Sequence, residues 1–154
     1  MDRAPHLLLV EAPYYAHLAA LLREGAEGAV AAAGATCEIV SVPGAFEIPP
    51  AIALAAKAAA GRFDGFVALG CVIRGETTHY DHICAETARS LQDLAVRDGL
   101  AVGYGILTVE NEAQALVRAA PAEQKTGGRD KGGEAVRACL ALIELQRRFR
   151  GNKR

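Results

Sequence analysis

Two hydrophobic periods alternate along this chain, and that alternation constrains its fold more than any other feature. Short apolar runs with β-branched residues, His6 to Val10, Cys37 to Val42, Phe66 to Ile73 and Ala101 to Val109, are each followed by a stretch with apolar residues three and four apart. A strand repeats its faces every two residues and a helix about every 3.6, so the switching predicts strand and helix in turn. Strands separated by helices are joined by crossovers, which predicts a parallel sheet covered by helices and built from right-handed βαβ units.

The pattern carries its own punctuation. Tyr14, Leu18, Leu21, Leu22, Ala29 and Val30 fall on one helical face, and Gly34 is placed to end that helix. Pro43-Gly44 turns the chain into an Ala-rich helix from about Glu47 to Ala60, with Gly61 at its end. Pro49 and Pro50 fit there only in the first turn, where amide groups have no intrahelical acceptor. The run Phe66 to Ile73 is nearly all apolar, as expected of a strand buried on both faces. A polar loop, Arg74 to Thr78, leads into a helix carrying Ile83, Thr87, Leu91 and Leu94, closed by Gly99. Asn111 is a natural cap for a short helix through Arg118. Ala120 to Asp130 reads as a loop, Gly132 to Arg148 as a last helix with Val136, Leu140 and Ile143 inward, and 147–154 as a solvated basic tail. No repeat, linker or low-complexity segment divides the chain, so 1–154 reads as one domain.

Composition narrows the function. At 154 residues and 51% hydrophobic, the chain has enough apolar surface for a core and is not a disordered sequence. Lys plus Arg is 17 and Asp plus Glu is 18, for a net charge of −1, which argues against a dedicated binder of nucleic acid or of anionic membrane. Cys37, Cys71, Cys84 and Cys139 follow no metal-ligand spacing and read mainly as packed free thiols in a reducing compartment. With neither a signal peptide nor a membrane span in view, the expected location is cytoplasmic.

In a parallel α/β sheet, ligands bind beyond the carboxyl ends of the strands. The segments to weigh are therefore Ala12 to Tyr15, Pro43 to Glu47, Arg74 to His79 and Thr108 to Asn111. The third is the richest. Amides at a helix start suit an anion, Gly75 permits close approach, Thr77 and Thr78 add hydroxyls, and His79 passes protons near neutral pH. The segment reads either as a phosphate cradle with a proton shuttle or as a helix capped by Thr77 or Thr78 with His79 on the surface. In the second segment, Phe46 offers a flat ring to stack on and Glu47 an acceptor, or the pair serves as a hydrophobic staple and a first-turn acid. Tyr14 and Tyr15 read as ring partners or as ordinary aromatics. Gly103-Tyr104-Gly105 lies inside a strand and is no dinucleotide fingerprint. His79 and His82 lack the carboxylates a metal site would need, and a Cys inside an apolar strand, such as Cys71, reads as inert packing.

Taken in order, several motifs make a more specific pattern: Pro43-Gly44-Ala45-Phe46-Glu47-Ile48-Pro49, then Gly70-Cys71-Val72-Ile73-Arg74-Gly75-Glu76-Thr77-Thr78-His79-Tyr80-Asp81. Gly105-Ile106-Leu107-Thr108, Gln114-Ala115 with Arg118, and Asp130-Lys131-Gly132 with Glu134-Ala135 follow. The set resembles the 6,7-dimethyl-8-ribityllumazine synthase family over about Leu7 to Leu145. The resemblance implies a three-layer αβα sandwich with a four-stranded parallel, flavodoxin-like sheet, assembled as an oligomeric ring. It also implies a reaction: 5-amino-6-(D-ribitylamino)uracil condenses with 3,4-dihydroxy-2-butanone 4-phosphate, losing phosphate and two waters, with no cofactor and no metal. Holding two reactive substrates together and managing their protons would be the main task.

The family's roles fall on residues of this chain. Tyr14 takes the place of a Phe that stacks on the pyrimidine, Ala45, Phe46 and Glu47 line the ribityl side, and Cys71, Val72 and Ile73 face the pyrimidine. Gly75, Glu76, Thr77 and Thr78 form the phosphate loop, His79 is the proton shuttle, and Arg118 is the counter-charge for phosphate. Tyr104, Arg118 and Lys131 belong to the adjacent subunit's side of the pocket, so the site is expected only in an oligomer. Pro13-Tyr14-Tyr15 departs from the family's Arg-Phe-Asn, and Tyr104 replaces a Phe. The connection between Arg118 and Lys131 looks longer than in shell-forming members, so a homopentamer is expected, with a decamer second. Two other readings stay open: a non-catalytic flavin or lumazine binder on the same scaffold, and a monomeric phosphate-binding module.

Overall fold

A computed structural model describes residues 3–121 and 128–151. Strands β1 (His6–Glu11), β2 (Thr36–Ser41), β3 (Gly65–Ile73) and β4 (Val102–Val109) form one parallel sheet in the order β2-β1-β3-β4. The chain steps from β1 to β2, returns across β1 to β3, and continues outward to β4. With right-handed crossovers, that reversal of direction sends the connecting helix to the opposite face. Accordingly α1 (Ala16–Ala32) covers one face, and α2 (Ile48–Ala58) and α3 (His79–Asp98) cover the other. The chain then returns to the α1 face with α4 (Glu112–Ala119) and α5 (Lys131–Gly151). The result is the expected three-layer, flavodoxin-like arrangement.

The two central strands show why their sequences are apolar throughout. Leu7, Leu9, Val67 and Leu69 point to Val30, Val136, Cys139 and Ile143 of α1 and α5. Leu8, Val10, Phe66 and Ala68 point the other way, to Ile48, Ile52 and Leu91 of α2 and α3. Period-two alternation persists, but both faces are dry. On β4, Gly103 lets the α5 backbone lie directly on the sheet, since a Cβ there would overlap the Ala135 carbonyl oxygen.

Several boundaries differ from the sequence reading. Tyr14 is not part of the buried face of α1; it precedes the helix and is 75% exposed. A single 3-10 turn, Ala45–Glu47, comes before α2, so that helix starts at Ile48, with Pro49 and Pro50 in its first turn, and ends at Ala58. Gly34 and Gly99 do end their helices with positive φ, 66° and 64°. The basic tail is helical through Gly151, which leaves only 152–154 outside the described residues. The long connection from Arg118 to Lys131 includes 122–127, which also lie outside them. Among the described residues, no helix is long and apolar enough to cross a membrane.

Candidate active site

The chain reverses direction between β1 and β3, and a cleft of about 590 Å3 opens there, at the carboxyl ends of the strands. Three of the four weighed segments meet in it. Tyr14 and Tyr15 follow β1, Pro43 to Glu47 follow β2, Cys71 to Ile73 end β3, and His79 with Ile83 comes from the first turns of α3. The walls are mostly apolar, and Glu47 and His79 are the carboxylate and imidazole among them, side chains of the kind that can hold or move protons. Tyr14 and Phe46, 75% and 57% exposed, present large ring faces at the mouth. The Tyr15 ring meets Tyr14 edge-on, with centroids 5.0 Å apart, and braces it. Burial, with Cys84 nearby, pushes the Cys71 thiol up to about 11, so it is a neutral wall group at pH 7 and not a nucleophile.

The loop before His79 is exposed and does not line the cleft walls. Of the two capping alternatives, neither closes the helix start completely. Thr78 occupies the cap position of α3 without a side-chain cap bond, while the Thr77 hydroxyl accepts from the His79 amide at 3.3 Å. Among the described residues, the amides of Gly75, Glu76, Thr77 and Thr78 donate to no protein acceptor. Unsatisfied amides in sequence, at the positive end of a 20-residue helix, suit an anion. His79 thus stands between an apolar cleft and an anion-friendly turn.

Tyr104, Arg118 and Lys131 are elsewhere. They line a second cleft of about 380 Å3 beside β4, together with Ile106, Leu107, Thr108, Arg129 and Glu134. The two clefts share no lining residue. Thr108, from the fourth weighed segment, belongs to this second cleft, so the four strand ends do not converge on one site within a chain. The reason is topological: β4 is the sheet edge, one strand beyond the point where direction reverses. In the second cleft, Arg118 donates to its own helix at the Gln114 carbonyl, 3.0 Å away, and Lys131 pairs with Glu134 at 3.3 Å.

Sequence reasoning passed over Glu11, which closes β1 at 5% exposure. Its carboxylate accepts from Arg23 of α1, with Nε at 3.1 Å, and from the Ser41 hydroxyl at 2.9 Å. The signal was an acid ending an otherwise apolar strand. Pro43 and Gly44, weighed only as part of their segment, and Ile83, not weighed for the site at all, also line the first cleft. Among the described residues, no three His, Cys, Asp or Glu side chains converge as a metal-ligand group.

The geometry can be set beside known proteins. The model of the 6,7-dimethyl-8-ribityllumazine synthase family matches residues 4–147. The chain is 54% identical over 151 residues to 6,7-dimethyl-8-ribityllumazine synthase 1 of Rhizobium meliloti (strain 1021), covering 96% of this chain and 95% of that one. It is 51% identical over 150 residues to the 6,7-dimethyl-8-ribityllumazine synthase of Agrobacterium fabrum, covering 96% and 98%. Against the same enzyme of Sphingopyxis alaskensis it is 54% identical over 144 residues, covering 94% and 96%. With matches of that extent, the chain belongs to the 6,7-dimethyl-8-ribityllumazine synthase family.

Proposed function

We infer that the chain catalyses the last step to the lumazine ring, joining 5-amino-6-(D-ribitylamino)uracil to 3,4-dihydroxy-2-butanone 4-phosphate with loss of phosphate and two waters. The observation that carries this is the placement of His79 between the ring-lined cleft and the open amides of Gly75 to Thr78. The amine of the pyrimidine attacks the ketone and forms an imine with loss of water. His79 moves protons during that step and as phosphate departs. Loss of a C3 proton with the C4 phosphate leaves an enol, which becomes a ketone at C3 and a methyl at C4, and closure of the second nitrogen onto that new carbonyl expels the second water.

The residues take distinct parts. Tyr14 and Phe46 offer faces to the pyrimidine and its chain, Glu47 accepts from ribityl hydroxyls, and Ala45, Cys71, Val72 and Ile73 shape the wall. Gly75, Glu76, Thr77 and Thr78 hold the phosphate by backbone amides. Arg118 supplies its counter-charge, with Lys131 and Tyr104 beside it. The two sets line separate clefts of one chain, which supports a site completed by an adjacent copy. A head-to-tail ring, a pentamer with a decamer as second choice, repeats that contact and closes it. Bringing both substrates into one water-poor pocket supplies most of the acceleration, because the uncatalysed partners already react. Four free thiols suit a reducing cytoplasm.

Mixing the purified protein with both substrates and following lumazine absorbance tests the reading. Formation well above the spontaneous rate is expected; a rate equal to the blank at saturating substrates defeats it. The departure Pro13-Tyr14-Tyr15 favours one rival, a lumazine or flavin binder without turnover. Tight riboflavin binding with no acceleration would select it.

A further inference from the structure

No group among the described residues hydrogen-bonds the His79 ring. Among the described residues, only its backbone amide has a hydrogen-bond partner outside the helix, the Thr77 hydroxyl. Its position is therefore set by the backbone that carries it, and that backbone follows an exposed turn. What fixes the turn is visible at its two ends.

Arg74 begins it. Its amide donates to the Val109 carbonyl at 3.0 Å, which continues the β3–β4 pairing by one residue. Its side chain then reaches across the turn instead of leaving for solvent. Nε donates to Glu110 at 2.7 Å, the terminal Nη1 lies 3.3 Å from the Asp81 carboxylate, and the guanidinium carbon lies 4.3 Å from the Tyr80 ring centroid. Tyr80 and Asp81 are the two residues after His79. Glu110 is itself held, because its amide donates to the Gln114 side-chain oxygen at 2.8 Å. One planar fork thus joins the end of β3, the end of β4 and the first turn of α3.

We propose that Arg74 is a positioning residue, which ties the Gly75–Thr78 turn at both ends and thereby fixes His79 and the open amides relative to the cleft. This rests on the function inferred above. A single exposed ion pair would have little effect. Here one guanidinium serves two carboxylates and a ring face at once, a task its flat, forked shape suits and a lysine's point charge does not. Small displacements of a reacting group carry large rate penalties, so even a weakly held anchor matters for the chemistry.

The test compares Arg74→Gln, Arg74→Lys, Glu110→Gln and the double variant Arg74→Gln/Glu110→Gln in the full-length protein. Three quantities are read: kcat and KM for each substrate, amide hydrogen exchange by segment, and melting temperature. For Arg74→Gln and Glu110→Gln, kcat should fall on the order of tenfold, and KM should rise for the phosphorylated ketone and not for the pyrimidine. Exchange should quicken over 79–82, where amides donate to the Thr77 hydroxyl and the Thr78 carbonyl, and stay unchanged in β1 and β3. Arg74→Lys should recover little, and the double variant should be no worse than the poorer single one, because both act on one anchor. Unchanged kcat and unchanged exchange over 79–82 would overturn the proposal. So would an equal rise in both KM values together with quicker exchange throughout, which is general loosening. If the unaltered protein gives no turnover, the functional reading falls by itself, and exchange over 79–82 still decides whether Arg74 anchors the turn.

Discussion

Arg23 of α1 holds the buried carboxylate of Glu11 through both Nε and a terminal nitrogen, at the end of β1 where the cleft begins. The two partners are unequally placed. The Glu11 side chain is 7% exposed and that of Arg23 is 42% exposed. A charge that can swing into water loses little when its partner goes, whereas a buried carboxylate left without its cation pays a desolvation penalty. Arg23→Met should therefore destabilise more than Glu11→Gln, by about 2 kcal/mol against about 1 kcal/mol, discounting for the half-exposed guanidinium. Urea unfolding of the two variants side by side measures this. Equal losses, or the reverse order, would show that the pair stabilises in some other way.

Gly103 makes a second prediction, about the contact that brings Lys131 to its cleft. A Cβ at this position would overlap the Ala135 backbone, which cannot turn aside as a flexible side chain would. Gly103→Ala should push α5 away from β4 and lower stability by more than ~2 kcal/mol, near the upper range for overpacking. Thermal melting checks this. Gly28, with nothing near a built Cβ and a helical setting in α1, is the control: Gly28→Ala should be neutral or slightly stabilising.

The sequence was most informative where periodicity and chain punctuation agree. Leu7 to Val10 and Phe66 to Leu69 alternate between two cores, and their lack of polar positions announced a sheet covered on both sides. Gly34, Gly99 and Asn111 marked helix ends where they occur, and the Asn111 side chain does accept from the Gln114 amide at 3.0 Å. Tyr14 misled because an aromatic at the right helical spacing looks like a core residue, whereas it stands before the helix, which begins at Ala16. Glu11 and Arg23 are 12 residues apart, a spacing with no local signature, so their pairing came only with the packing of α1 on β1. The separation of the clefts was illegible in the residue pattern for the same reason, and only the family resemblance, which put Tyr104, Arg118 and Lys131 on the adjacent subunit's side, pointed to it. Strand order is long-range information, and the motif around Arg118 says nothing by itself about which sheet edge it lies on.

Cys139 gives a pH-dependent prediction. Its thiol is fully buried against the Ala101 carbonyl, 3.5 Å away, and burial pushes its pKa from 9.0 up to about 12. In the unfolded chain the thiol ionises first, so above pH 9 the unfolded state holds fewer protons than the folded one. Stability conferred by this group is therefore complete below pH 9 and is lost as pH rises toward 12. Cys139→Ala should cost about 1–2 kcal/mol at pH 7, through lost packing, and should also flatten the alkaline limb of the stability curve. Melting temperatures at neutral pH and across the alkaline range, for both proteins, check the two effects. A variant with the same alkaline slope as the parent would show that other groups set it.

The arrangement of the two clefts yields the most discriminating prediction. His79 lines one and Arg118 the other, with no lining residue in common. If a site takes His79 from one copy and Arg118 from the next, His79→Ala and Arg118→Ala should each be nearly inactive alone. Arg118→Ala should also impair use of the phosphorylated ketone far more than binding of the pyrimidine, because a guanidinium fork recognises phosphate. Co-expressed at equal levels, the two variants should regain activity. An intact site needs a His79-bearing copy followed, in the ring's direction, by an Arg118-bearing one, and random mixing in a head-to-tail ring makes about a quarter of the contacts of that kind. Recovery to roughly that fraction of the parent rate, absent when the separately folded variants are simply combined, supports the shared site. No recovery from co-expressed variants that do assemble together would place both residues in the service of a single chain.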